Sequence, residues 1–91
     1  MKIALGNLMG VDKQNGFVWV HADIDGETVA LRMTYGGLRG LDTSEKLESA
    51  DDYLARTERF RDALAGMAKE RFAAGQTLIS RRDEVDYLWL L

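Results

Sequence analysis

The 91-residue chain has no cysteine and no proline, and its only histidine is His21. Without cysteine there is no disulfide staple, no thiolate metal site and no cysteine nucleophile. Without proline, no position is an obligate helix breaker. A lone histidine has no second imidazole with which to share a metal or relay a proton. No run approaches the ~20 apolar residues of a membrane helix. Residues 1–10 are mildly apolar but broken by Lys2 and two glycines, unlike a secretory signal. A cytoplasmic protein without membrane association is therefore expected. Lys and Arg number 12 against 15 Asp and Glu, leaving a net charge of −3. That balance argues against direct nucleic-acid binding. Tyr35-Gly36-Gly37 lacks both the spacing and the lysine of a phosphate loop. The expectation is a protein with no catalytic residue, no metal and no cofactor.

What is present is pattern. The length suits one domain, residues 1–91, and a chain of this size buries only about two thirds of its unfolded surface. Residues 17–24 (FVWVHADI) and 27–34 (ETVALRMT) are rich in β-branched and aromatic types. Asp25-Gly26 between them suits a two-residue turn whose central positions both need φ > 0. That turn pairs Ile24 with Glu27, Ala22 with Val29, Val20 with Leu31 and Val18 with Met33. One face is then nearly all apolar. The other carries Phe17, Trp19, His21 and Asp23 opposite Thr34, Arg32, Ala30 and Thr28, a sorting that a one-residue slip destroys. Residues 2–11 read as a poor strand followed by loop, because Gly6 and Gly10 break any period. Asn15-Gly16 signals a second tight turn, with a strand before it around Met9–Lys13 pairing with the strand after it.

Beyond the hairpin, Thr34 is placed to cap a short turn or helix through Leu41. Ser49-Ala-Asp-Asp52 reads as a capping box with Asp in place of the usual Glu. Apolar or small residues then recur at i, i+3 and i+4 from Ala50 to Phe72, and Gly75 stands where a helix C′ residue belongs. This predicts one long helix, about residues 50–74 and roughly 37 Å long. Residues 76–80 suit a short strand, 81–84 a polar turn and 85–91 (VDYLWLL) a final strand, with Val85, Tyr87, Trp89 and Leu91 on one side. The expected fold class is α+β. A small antiparallel β-sheet, built from the hairpin 17–24/27–34 plus N- and C-terminal strands, packs against the long helix.

The order and spacing of these residues resemble an uncharacterised bacterial family, domain of unknown function 1488, over about residues 12–75. The resemblance rests on Asp12 and Val18 before the first long strand. It continues through Asp25-Gly26, Val29, Arg32, Thr34 and Leu38 in the hairpin and the following turn. Arg61, Leu64, Ala68, Phe72 and Gly75 carry it through the helix. The C-terminal VDYLWLL departs from the usual ending. The resemblance implies a sheet packed on a helix and, the family having no established activity, no chemistry.

Two surfaces stand out. The second hairpin face sets Trp19 against Arg32, where stacking of about 0.5–1 kcal/mol is available. Phe17 and, if the last strand joins, Tyr87 or Trp89 extend an aromatic patch that a monomer does not leave open without reason. The reading is a non-enzymatic protein-interaction module, a homodimer or a complex with a protein partner through Phe17, Trp19, His21, Arg32 and Trp89. The alternative cover is the N-terminal segment folded over that face. The other surface is acidic: Asp42, Glu45, Glu48, Asp51 and Asp52 stand against Lys46 alone, ahead of a basic stretch from Arg56 to Arg82. Acid at a helix start and base near its end complement the macrodipole. The same run, led by Asp51 and Asp52, also suits an inhibitor or adaptor, phage-encoded and anti-CRISPR-like, that covers a basic surface of nucleic-acid machinery. A small enzyme using His21 with Asp23 is the least supported reading. Asp23, Asp25 and Glu27 fall short of a calcium loop, whose ligand series ends in a distant Glu.

Overall fold

The computed structural model describes residues 2–80, 82 and 84–91, so Arg81 of the basic stretch and part of the 81–84 turn lie outside the described residues. The elements run β1 (Ile3–Asp12), β2 (Phe17–Ile24), β3 (Glu27–Thr34), α1 (Tyr35–Leu41), α2 (Ala50–Arg59), α3 (Arg61–Ala73) and β4 (Tyr87–Trp89). The hairpin has the register that the alternation requires, with Ile24 opposite Glu27, Val20 opposite Leu31 and Phe17 opposite Thr34. Its turn is carried by Asp25 at φ 52° and Gly26 at φ 91°, both in the left-handed region.

The sheet order is β1-β2-β3-β4. β1 and β3 flank β2 antiparallel, but β4 runs parallel to β3, so the sheet is mixed. Parallel neighbours need a crossover of a dozen or more residues, and the three helices supply it. β4 sets Leu88 beside Leu31 and Trp89 beside Arg32. Leu88 and Leu90 therefore enter the core, as the alternation of the tail requires.

β1 is one strand from Ile3 to Asp12 rather than a poor strand followed by loop. It pairs with β2 from Ile3 to Asp12, with a bulge between Leu5 and Met9. Two of its glycines are close-approach positions rather than breaks. A Cβ at Gly6 stands 3.2 Å from the His21 carbonyl oxygen, and one at Gly10 stands 2.5 Å from the Trp19 ring. The following loop is not the expected two-residue turn. It spans four residues, with only Gly16 left-handed at φ 71°. Gly16 N–H donates to the Asp12 carbonyl at 2.8 Å. The Asp12 carboxylate accepts from Asn15 N and Nδ2 at 3.0 and 2.9 Å, so Asn15 serves through its side chain.

The helical layer departs from one continuous helix. Thr34 caps α1 by accepting from Gly37 N–H at 3.0 Å, which lets a helix start across Gly36-Gly37. Ser49 and Asp52 form the reciprocal capping box at the start of α2. The long helix breaks at Phe60, where φ −101° and ψ 20° leave the helical range. A straight helix of about 37 Å is longer than the molecule's longest extent of 34 Å. The bend keeps both halves over the sheet. α3 ends as expected, with Gly75 at φ 91° and Gln76 and Gly75 N–H donating to the Arg71 and Phe72 carbonyls.

The helices pack on one face of the sheet. Val18, Val20, Leu31 and Met33 join Leu38, Tyr53, Leu64 and Ala68 in one buried cluster. The chain ends against α1: Thr34 N–H donates to the Leu91 carbonyl at 2.9 Å, and glycine at 37 admits the Leu91 side chain.

Candidate interaction surface

The opposite face of the sheet has no helix on it among the described residues, because the helices' buried apolar side chains join the inner cluster. Trp19, His21, Arg32 and Trp89 are half-buried there, while Phe17 is 8% exposed and Tyr87 4%. The five residues expected on this face are thus together, but not equally available. Phe17 is a packing residue: the Trp89 ring meets it edge-on at 5.0 Å between centroids.

Trp19 and Arg32 are cross-strand partners, yet the expected stacking goes elsewhere. The Arg32 guanidinium lies 3.7 Å from the Tyr87 ring centre, with Phe17 at 4.9 Å and Trp89 at 5.5 Å. β4 supplies the nearer rings. Trp19 instead lies over Gly10 and tilts against His21 at 5.1 Å.

The N-terminal segment does not cover the face; it extends the sheet as β1. Partial cover comes from the other end of the chain. Ile79 bridges to Tyr87 through two backbone hydrogen bonds of 2.8 and 3.0 Å. Glu84 and Val85 line a hollow of about 200 Å³ beside Trp19 and His21. Ile79 and Val85 remain 43% and 41% exposed. At the Arg32 end lies a larger cavity of about 540 Å³, bounded by Asp12, Asn15, Phe17, Arg32, Glu84 and Trp89. Hydrogen bonds from the Asn15 side chain and backbone hold the Asp12 carboxyl below its ordinary range. Glu84 had no signal in the sequence, because nothing local shows that the segment before β4 turns back over Arg32.

The charged surface behaves differently from its sequence pattern. Arg56 is 2% exposed. It donates to the Leu38 and Asp42 carbonyls at 3.3 and 2.7 Å and to Glu45 at 3.1 Å, tying α2 to the end of α1. Arg59 pairs with Asp42 and Glu45, Arg61 bonds Glu58 and the Leu5 and Gly6 carbonyls, and Arg71 bonds the Leu90 carbonyl. The basic stretch is therefore largely consumed within the fold rather than presented as a face. The acidic run is consumed in part. Asp52 accepts from Glu48 and Ser49 N–H, bonds that hold its carboxyl below the ordinary range. Hydrogen bonds from Ser44 do the same for Asp42. Asp51 is exposed in the first turn of α2. A cavity of about 490 Å³ beside α2 is lined by these compensated charges, including Glu45, Arg56 and Arg59.

Asp23 shares the outer face with His21 and is exposed two residues along the strand. No hydrogen bond joins them among the described residues. Among the same residues, no three His, Asp or Glu side chains converge as a metal site, and no helix is long and apolar enough to cross a membrane.

The architecture is thus a two-layer α+β domain with one sheet face free of helices among the described residues. A solved structure shares it: a protein of unknown function of the domain of unknown function 1488 family from Shewanella loihica PV-4. The match has a TM-score of 0.68 at 19% sequence identity and covers 80% of this chain and 79% of that one. The resemblance read from Asp12 to Gly75 therefore holds at the level of the fold. No family model matches the chain, and no curated protein matches it.

Proposed function

We propose that the chain is a protein-interaction module that self-associates through the outer face of its sheet. One observation carries the reading. The helices cover one face only, leaving Trp19, His21, Arg32 and Trp89 half-buried on the other, with exposed Val85 at their border. Two such faces stack at about 10 Å, the separation of packed sheets, and bury their aromatic rings between them. A second copy is the occupant because each face presents the same rings, and a two-fold arrangement closes after two chains. The acidic run offers less for an inhibitor or adaptor, since Asp42, Glu45 and Asp52 already serve internal partners.

The test is light scattering on the full chain across micromolar concentrations. The expected result is a dimer mass that falls toward the monomer in Trp19→Ala and in His21→Glu. The second variant matters because Trp19 also packs on Gly10, whereas His21→Glu charges the face at the cost of one ring contact, with Trp19. A wild-type monomer throughout, or dimers unchanged by both substitutions, overturns the reading.

A further inference from the structure

Four arginines among the described residues spend N–H groups on uncharged protein oxygens. Arg39 donates to the Tyr53 hydroxyl, Arg56 to the Asp42 carbonyl, Arg61 to the Gly6 carbonyl and Arg71 to the Leu90 carbonyl. Arg32 differs. Its guanidinium carbon is surrounded by three rings, closest to Tyr87 at 3.7 Å, with Phe17 and Trp89 further off. Its N–H edge has no hydrogen-bond acceptor among the described residues. Among the described residues the Glu84 carboxylate pairs with it at 4.0 Å, beyond hydrogen-bond distance. The Arg32 side chain is only 19% exposed and lines the cavity of about 540 Å³.

We propose that Arg32 is a receptor for a carboxylate carried on an apolar body, and that Glu84 is its displaceable internal stand-in. A guanidinium presents parallel N–H donors that match the two oxygens of a carboxylate. Contact with three rings holds the guanidinium in place before a ligand arrives, so little side-chain freedom is lost on binding. The charges set the ligand's valence. Asp12 and Glu84 both line the cavity with Arg32. A dianion such as phosphate therefore meets net repulsion. A monocarboxylate that exchanges with Glu84 leaves the charge of the site unchanged. Glu84 is suited to leave: its side chain is 50% exposed, and the pair is too long for a hydrogen bond. The half-buried Trp89 stands at one side of an otherwise polar cavity, a ring that an aromatic acid can meet and acetate cannot. This site needs no second copy of the chain, so it goes beyond self-association.

The same chemistry comes from two sources: a free organic acid, or a glutamate beside an apolar residue on another protein. The test titrates phenylacetate, the dipeptide acetyl-Phe-Glu-amide and inorganic phosphate separately into the full chain. It follows the Arg32 Nε–H resonance and tryptophan fluorescence. Saturable shifts with phenylacetate assign the free acid; shifts with the dipeptide alone assign a protein side chain. Glu84→Gln is exposed and leaves the fold intact. It is expected to tighten the successful probe about two- to fivefold, the worth of an exposed ion pair. Arg32→Lys keeps the charge but not the fork and is expected to weaken it at least tenfold. The proposal is overturned if neither carboxylate probe binds, if Glu84→Gln leaves the affinity unchanged, or if phosphate binds as tightly. Light scattering on the same samples separates the two readings. A monomer that binds phenylacetate keeps this site and removes self-association, and a dimer deaf to both carboxylates does the reverse.

Discussion

The two faces of the sheet are built from alternate residues of the same strands, yet they are governed by different physics. On the inner face Val18, Val20, Leu31 and Met33 are fully buried under three helices. On the outer face Trp19, His21, Arg32 and Trp89 are only half-buried, held by rings and one guanidinium. Adjacent residues such as Leu31 and Arg32 thus belong to different problems. The inner face answers to packing density and stability. The outer face answers to what it meets. The lesson is that period-two alternation can store a folding instruction and a recognition surface in a single strand.

The sharpest way to break this comparison is to change neighbours on opposite faces. Leu31→Ala removes a fully buried side chain from the centre of the core. It is expected to cost about 2–5 kcal/mol, because the rigid strands beneath the helices close only part of the cavity. Thermal or urea unfolding of the variant reads this directly. A loss below about 1 kcal/mol means that the inner face is not packed as described.

A smaller effect is expected in the helical layer that closes the inner face. Ser49→Ala removes the acceptor for Asp52 N–H and should cost about 1 kcal/mol. The reciprocal half of the cap is pH-dependent. Asp52 accepts from Glu48 and Ser49 N–H, which depresses its carboxyl below the ordinary 3.8. A depressed folded value means that the unfolded chain takes up the proton first. The stabilisation is therefore complete above 3.8 and is lost as pH falls through the lower folded value. Asp52→Asn should flatten part of the acid limb of an unfolding curve, leaving the remainder to Asp12, Asp42 and Glu58, whose carboxyls are depressed too. An acid limb identical to wild type removes the cap from the energetics.

Legibility divided along the same line as the faces. The hairpin was readable because Asp25-Gly26 sets a turn that only one register satisfies, and the alternation then assigns every side chain. The caps at Thr34, Ser49 and Gly75 were readable because they satisfy the local backbone. What escaped depended on partners distant in sequence. Gly10 reads as a strand breaker until Trp19 is seen lying across it. Phe60 carries no breaking signal, because the bend answers to the size of the sheet beneath. Arg56 reads as solvated until the end of α1 closes over it. The direction of β4 follows from the crossover, not from VDYLWLL itself. The outer face was located correctly from β2 and β3, but Glu84 and the stacking of Arg32 depend on where the tail returns.

The smallest expected stability effect is the most telling one. His21 sits in a central strand, opposite Ala30 and beside Trp19, but on the outer face. His21→Glu removes no core volume and strands no buried donor. Its unfolding free energy should stay within about 0.5 kcal/mol of wild type, the usual range for surface positions. This is measured at concentrations where both proteins are monomeric, because association would otherwise add to apparent stability. If glutamate at 21 destabilises the monomer as severely as alanine at 31, the outer face is a second core and the contrast between the faces fails. If the monomer is unmoved while the dimer is lost, the same strand is shown to separate folding from recognition residue by residue.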